Sequence, residues 1–415
     1  MNQLYVYEKE STAFFTKTDG NISSPAGFFA GGLHCGIKRK RPDLGWLYSA
    51  VPAQAAAVYT TNQFQAAPIQ VTKESIVESG KLSGIIVNSG NANSFTGSEG
   101  LRHARLMRKW FAAQIGVNEN QVGVASTGVI GEFLPVEKIE TGIRRIDKGE
   151  GASHPDLFEK AILTTDTFQK RACATLEIGG KTVTVAGCAK GSGMIHPNMA
   201  TMLAFMTTDA KVEAAALQNL LKQTVDETFN MITVDGDTST NDMVIVMANG
   251  LAGNDTLSYA HPDWKKFAES FAYIARELAK QIARDGEGAT KLVEVCVTGA
   301  ETEKEAQAAA KTVIGSNLVK AAIFGADANW GRIINAIGYS GVQVDEQALS
   351  VRIGGISVVE KGMPASYSED EAHAYLKEND KICMAIDLGA GTCQGTAWGC
   401  DLTYDYVKIN ATYRS

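Results

Sequence analysis

Two hydrophobic rhythms, interleaved along one chain with no linker between them, do most to narrow the folds open to this sequence. Stretches from about 99 to 115, 134 to 147, 212 to 229, 262 to 284 and 302 to 320 place apolar residues at helical spacing and predict amphipathic helices. Between them lie short strand-like runs: Gly84-Ile85-Ile86-Val87, 172 to 178 and 181 to 188 around a Gly179-Gly180 hairpin turn, 242 to 249, 290 to 298 and 380 to 388. Hairpin signals mixed with helical connections favour an α/β or α+β layered sandwich over a bundle or an all-β barrel. At roughly 100 to 200 residues per domain, 415 residues suggest two or three packed units. With no internal repeat and no Pro/Ser-rich stretch, the boundary must be tight. The Gly/Asp-rich turn Arg284-Asp285-Gly286-Glu287-Gly288 is the candidate, dividing a main unit, 1–285, from a smaller one, 286–415.

Composition excludes several function classes. The chain is 45% hydrophobic and 20% charged, as in an ordinary globular enzyme, and its formal net charge of -7 argues against a nucleic-acid partner. The one basic cluster, Lys38-Arg39-Lys40-Arg41, is followed by Pro42 and has no interleaved aromatic residue, so it reads as a solvated loop. No window approaches ~18 consecutive apolar residues, so no membrane partner is expected. The N-terminus lacks a secretory pattern. Seven scattered cysteines without a C-x-x-C pair suggest reduced thiols, a cytoplasmic setting and no zinc site, and the six histidines form no metal-binding pattern.

The chemistry concentrates in residues 187 to 210. Up to Met199 this stretch is Gly-rich and interrupted by Pro197; from Thr201 to Phe205 it becomes an apolar run led by a β-branched hydroxyl residue. The Ala200-Thr201 bond sits at the junction, where strain can hold a hydroxyl against the preceding carbonyl. Attack by Thr201 Oγ on the Ala200 carbonyl would turn the amide into an ester, and hydrolysis would leave Thr201 as a new N-terminus. Its hydroxyl would then be a nucleophile and its α-amine, with a reference pKa of about 7.7 to 8.0, an adjacent base. No Ser-His-Asp triad is needed, and no G-x-S-x-G elbow is present. The residues alone leave open the plainer reading, a loop entering a core strand.

The run from Lys190 through Gly-Ser-Gly-Met-Ile-His-Pro-Asn-Met-Ala-Thr-Met-Leu-Ala to Phe205 closely resembles the processing-site signature of the ornithine acetyltransferase (glutamate N-acetyltransferase) family, whose members are cut at an Ala-Thr bond. The resemblance extends over essentially the whole chain. It implies cleavage into chains 1–200 (α) and 201–415 (β), an αββα-type sandwich with a smaller C-terminal α/β unit, and an α2β2 heterotetramer. The activity implied is ping-pong transfer of acetyl from N2-acetylornithine to L-glutamate through an acetyl-Thr201 ester.

Further stretches carry the resemblance. Ala125-Ser126-Thr127-Gly128-Val129-Ile130-Gly131 is similar to the family's oxyanion-hole segment, which makes Thr127 and Gly128 the donors. Thr164-Thr165-Asp166-Thr167 resembles a substrate-contacting stretch, with Thr164 the first choice, and Lys190 resembles the substrate-binding lysine. In Asp285-Gly286-Glu287-Gly288-Ala289-Thr290, Glu287 would bind substrate, supplying the carboxylate that an ornithine ammonium needs. The closing segment, 408–415, implies contacts from Asn410 and from Ser415, where many members end in Thr. The Asn- and Asp-rich stretches 87–93, 234–242 and 327–332 are also family-like; they could line the cleft or form hydrogen-bonded turns, and beside glycines most read as structural.

The resemblance requires no metal and no bound cofactor, and leaves open acetyl-CoA as a second acetyl donor. An amidohydrolase or aminopeptidase with the same N-terminal nucleophile is the rival enzyme, since it differs only in letting water attack the acyl-enzyme. A nucleotide-binding loop at Gly389-Ala-Gly391-Thr-Cys-Gln-Gly395 is disfavoured, because a strand rather than a helix is expected after it.

Overall fold

The computed structural model describes residues 14–147, 153–196 and 202–412. Its strands are β1 Thr16–Thr18, β2 Phe28–Leu33, β3 Leu44–Tyr59, β4 Lys81–Asn91, β5 Val122–Val129, β6 Lys170–Ile178, β7 Lys181–Lys190, β8 Leu203–Thr208, β9 Ile232–Thr233, β10 Met243–Ala248, β11 Leu292–Ala300, β12 Ser350–Ile353, β13 Ile356–Glu360, β14 Met363–Pro364, β15 Lys381–Asp387 and β16 Cys393–Cys400. The α-helices are α1 Ala67–Ser79, α2 Gly97–Ile115, α3 Val136–Arg144, α4 Pro155–Ile162, α5 Ala214–Glu227, α6 Trp264–Arg284, α7 Glu303–Gly315, α8 Asn317–Phe324, α9 Trp330–Gly338, α10 Glu369–Glu378 and α11 Tyr404–Thr412.

The strands form two mixed sheets. The first runs β1-β6-β7-β8-β10-β3-β4-β5, with β2 also paired to β3; the second runs β14-β13-β12-β15-β11-β16-β9. In the first sheet, β8 lies parallel to β10 and β4 parallel to β5, while β3 pairs antiparallel with β2, β4 and β10. All six residues of β8 and of β10 are buried, so both faces of the sheet centre must be covered. Phe205, Met243 and Ile245 on one face pack with Ile69 of α1 and Phe158 and Ile162 of α4. Ala204, Met206, Val244 and Val246 on the other pack with Leu217 and Leu221 of α5 and Phe271, Ile274 and Leu278 of α6. Each such fully buried large side chain contributes roughly 1.5–3 kcal/mol. Helix α6 also touches β9, β11 and β16, and the same apolar cluster continues through Val293, Val295 and Val297 of the second sheet. The expected layered α/β sandwich is therefore present.

Most predicted elements are found within a few residues of their expected ends. Gly179 and Gly180, at φ of 55° and 74°, make the β6–β7 hairpin with both central residues in the left-handed region. Two differences have local causes. The single helix expected over 302–320 is two, because Ser316 is extended and its hydroxyl accepts from the Val319 N–H, capping a new helix. Strands are not uniformly short: β3 runs 16 residues, because its Ala-rich half can lie buried against α5 without large side chains. After β15 a strand, β16, follows the glycines, as expected; Gly391 lies where a side chain would strike the Ala300 carbonyl oxygen. No helix among the described residues is long and apolar enough to cross a membrane.

Candidate active site

The parallel pair β4–β5 ends at a position open only to glycine. Gly90 stands opposite Gly128, whose φ is +133°, and a Cβ on Gly128 would lie 2.4 Å from the Gly90 carbonyl carbon. The preceding Thr127 is buried, and its Oγ1 accepts from Lys190 Nζ at 3.5 Å. Buried asparagines hold this corner. Asn88 Nδ2 donates to the Asn91 carbonyl, and Asn241 Nδ2 donates to the carbonyls of Ala92 and Ser126, at 2.5 and 2.9 Å. The Asn-rich stretches read as structural turns thus include residues that position the predicted oxyanion donors.

Opposite lies a charge network. Lys170, fully buried, bridges Asp166 Oδ1 at 2.7 Å and Asp285 Oδ2 at 2.5 Å. Asp166 also accepts the backbone N–H groups of Gly191 at 2.7 Å and Thr164 at 3.0 Å. Burial alone would raise the Asp166 carboxyl, but Lys190 and Lys170 outweigh it and hold the group well below the carboxylate range. The second carboxylate, Asp285, accepts from the Thr167 N–H and hydroxyl, and its own carbonyl accepts from Ser192 Oγ at 2.6 Å. Asp166, Lys170 and Asp285 therefore orient three predicted residues through the backbone: Thr164, Lys190 and Glu287.

Glu287 is buried, and its N–H donates to the Ser192 carbonyl at 3.0 Å. Its carboxylate occupies the space a side chain on Gly193 would need, 2.3 Å from that Cβ position, and Oε2 accepts from Asn410 Nδ2 of α11 at 2.8 Å. Gly288, at φ +71°, lets the backbone approach Tyr406 of the same helix. Burial, then Asp235, Asp237 and Glu287, push the Tyr406 phenol well above its ordinary value.

Thr127, Gly128, Thr164, Lys190, Glu287 and Asn410 all line one cleft of about 170 Å³. Six residues named from the family resemblance, drawn from five chain stretches, thus line one cleft. Ala200, Thr201 and Ser415 lie outside the described residues. The described residues flanking 197–201 are tied to the cleft. Asp235 accepts the N–H groups of Met194 and Ile195 at 2.7 and 2.8 Å, the Met202 carbonyl accepts from Met243, and Met202 and Leu203 line the cleft wall. Asp235, Asp237 and Asp242, from a stretch weighed as cleft lining but read mostly as turns, line the cleft; sequence reasoning missed Tyr406 there, and Lys170 altogether. No local signal pointed to Lys170: residues 163–169 are not helical and Lys170 opens β6, so its spacing from Asp166 is no helical pairing.

The basic stretch 38–41 corrects the expectation of a wholly solvated loop. Arg39, Lys40 and Arg41 are exposed, but Lys38 turns inward and donates to the carbonyls of Leu163 at 2.5 Å and Pro42 at 3.1 Å. Burial brings the Lys38 ammonium down to about 8.

The cleft carries both signs of charge beside a pair of candidate oxyanion donors, a surface suited to small zwitterions and to acyl transfer. Comparisons agree in kind. The model of the ArgJ family matches residues 29–415. The "Arginine biosynthesis bifunctional protein ArgJ" of Oceanobacillus iheyensis is 56% identical over 397 residues, 96% of this chain and 97% of the relative. Its namesake in Listeria monocytogenes is also 56% identical, over 95% of this chain and 99% of its own. A crystal structure of "Arginine biosynthesis bifunctional protein argJ" from Bacillus halodurans aligns with a TM-score of 0.51 at 58% identity, covering 51% of this chain and all of that one.

Proposed function

The chain belongs to the ArgJ family, and on that premise we propose that it transfers acetyl from N2-acetylornithine to L-glutamate through an ester on Thr201, after cutting itself at Ala200-Thr201. It is an acetyltransferase of arginine biosynthesis. One observation carries the mechanism: the candidate oxyanion donors, a buried lysine and a buried glutamate converge on the cleft that the residues after Thr201 line.

In the maturation step, Thr201 Oγ attacks the Ala200 carbonyl carbon, the C–N bond breaks, and the acyl group passes to oxygen. Water then hydrolyses the ester, leaving the Ala200 carboxylate and a free Thr201 α-amine. In the first half-reaction, Oγ attacks the acetyl carbon of N2-acetylornithine while the α-amine takes the hydroxyl proton. The tetrahedral oxygen receives the Thr127 hydroxyl and Gly128 N–H, preorganised donors each worth on the order of 10²-fold in rate. Collapse expels ornithine, whose nitrogen takes the proton from the amine. Glutamate's neutral α-amine then attacks the acetyl ester, and the same steps in reverse restore Oγ–H.

Lys190 would take a substrate carboxylate, and Glu287, steadied by Asn410, an ammonium group. Thr164 and Ser415 would complete the contacts. The half-length solved relative, matched over its whole length, supports a two-chain mature form. The reading further places two copies of each chain in an α2β2 assembly in the cytoplasm, with no bound cofactor.

Intact mass spectrometry on wild type and Thr201→Ala, followed by an acetyl-transfer assay, tests the proposal. Fragments of 200 and 215 residues with an uncut, inactive variant are expected. A wild-type chain that stays whole yet transfers acetyl would remove Thr201 as the N-terminal nucleophile.

A further inference from the structure

One short segment of the chain grips both flanks of the proposed cut. Upstream, Asp235 accepts the Met194 N–H at Oδ2 and the Ile195 N–H at Oδ1, at 2.7 and 2.8 Å, with a longer bond, 3.4 Å, from the Asp237 N–H of its own turn. The Val234 N–H donates to the Ile195 carbonyl at 2.6 Å, and the Thr238 hydroxyl to the His196 carbonyl at 2.8 Å. Downstream, the Met243 N–H donates to the Met202 carbonyl at 3.1 Å, where β8 and β10 begin their parallel pairing. Residues 234–243 therefore hold the last described residues before 197–201 and the first one after it. The upstream grip works against the backbone's own preference. Met194 stands at φ +57°, in the left-handed region that a side chain disfavours, yet its N–H and the next one both meet a single carboxylate. A charged acceptor makes such bonds roughly twice as strong as neutral ones. The grip is braced from outside: Lys320, buried on α8, donates to the Val234 carbonyl, and Tyr406 of α11 faces the Asp235 carboxylate.

We infer that Asp235 and Thr238 are positioning residues for self-cleavage, acting through the backbone of Met194, Ile195 and His196. This rests on the reading that Thr201 cuts the chain at Ala200-Thr201. Attack by a hydroxyl on the carbonyl of the residue before it is made fast by fixing the backbone on both sides, which removes orientational freedom before the new bond forms. Asp235 and Thr238 supply that restraint and exchange no proton; the bonds formed and broken are those of the maturation step given above. The cut falls between the two grips. Met194, Ile195 and His196 pass to the α chain, whereas 234–243 stay with the β chain. The same hydrogen bonds then become ties between the two chains, holding the end of the α chain and keeping Met194 in the cleft wall.

Two substitutions of nearly unchanged shape test the inference. In Asp235→Asn the amide keeps one acceptor and turns an NH2 group towards the second N–H; Thr238→Val removes the hydroxyl and lies outside the cleft lining. Full-length wild type and both variants are made by cell-free translation and sampled over time, with intact mass giving the cleaved fraction. Cleavage should slow about tenfold or more in Asp235→Asn, which loses a charge-assisted bond, and about threefold or more in Thr238→Val, which loses a neutral one. Once cleaved, Thr238→Val should transfer acetyl with kcat and KM near wild type, a split that general loosening of the fold would not give. A wild-type cleavage rate in either variant overturns the inference, as does a kcat per cleaved chain that falls in Thr238→Val as far as the cleavage rate. Either result leaves the proposed function standing. A wild-type chain that stays whole would sink that function, and the inference with it.

Discussion

Substituting Gly128 by alanine separates the oxyanion assignment from a merely structural role. The added Cβ would sit 2.4 Å from the Gly90 carbonyl carbon and 2.5 Å from the Asn91 nitrogen, against ordinary contacts of 3.4 Å and above. Both neighbours are backbone of β4, which β3 holds on its other side, so no rotamer relieves the overlap. The two strand ends must part by about 1 Å, and alanine at φ +133° adds ~1–3 kcal/mol of backbone strain. A 1 Å misplacement of a reacting constellation costs on the order of 10²-fold, similar to the loss of one oxyanion donor. Gly128→Ala should therefore lower kcat about 100-fold, measured as acetylglutamate formed per cleaved chain, with intact mass giving the cleaved fraction. Gly131→Ala is the control. Its φ of +82° also disfavours a side chain, but nothing lies within 4 Å of its Cβ position, so it should lower Tm while leaving kcat within about threefold. A folded, cleaved Gly128→Ala enzyme with kcat near wild type would refute the assignment.

Two further perturbations test the charges around the site. Lys170→Met leaves Asp166 and Asp285 buried without their shared cation and should cost roughly 3–5 kcal/mol in denaturant unfolding at pH 7; a loss below about 1 kcal/mol would mean that Lys190 or water compensates both carboxylates. Glu159, 1% exposed with Oε1 unpartnered, is raised to about 7 by burial, so its stabilising contribution is complete below about pH 4.5 and lost as pH rises through about 7. Glu159→Gln should accordingly gain up to ~3 kcal/mol at pH 8 and nothing at pH 4.5, and a difference independent of pH would contradict the raised value.

What could be read from the sequence divides along a physical line. Helix α6 and the β6–β7 hairpin were visible because periodicity and a pair of glycines are local properties, and the cleft residues because their stretches resemble those of a known family. Neither kind of signal reports where a long side chain ends. Lys38 and Arg39 are neighbours in one basic run, yet one is anchored on Leu163 and the other is exposed, a difference set by how the loop wraps Asp43. Lys170 was missed for the same reason, because one of its two carboxylates arrives from 115 positions away.

That missed lysine bears on the chemistry of the predicted one. Without Lys170, the pair Asp166 and Asp285 would be the natural partners of the Lys190 ammonium, and a substrate carboxylate would have to compete with them. Lys170 meets both at 2.5–2.7 Å, while among the described residues the Lys190 ammonium makes one long hydrogen bond, 3.5 Å, to Thr127. Its ammonium helps to hold the Asp166 carboxyl below the usual carboxylate range, a Coulombic tie that fills none of its donors. Two buried lysines beside two aspartates therefore divide the work: one neutralises the scaffold, and the other is left as the cation that the proposed mechanism offers to a substrate carboxylate beside the candidate oxyanion donors.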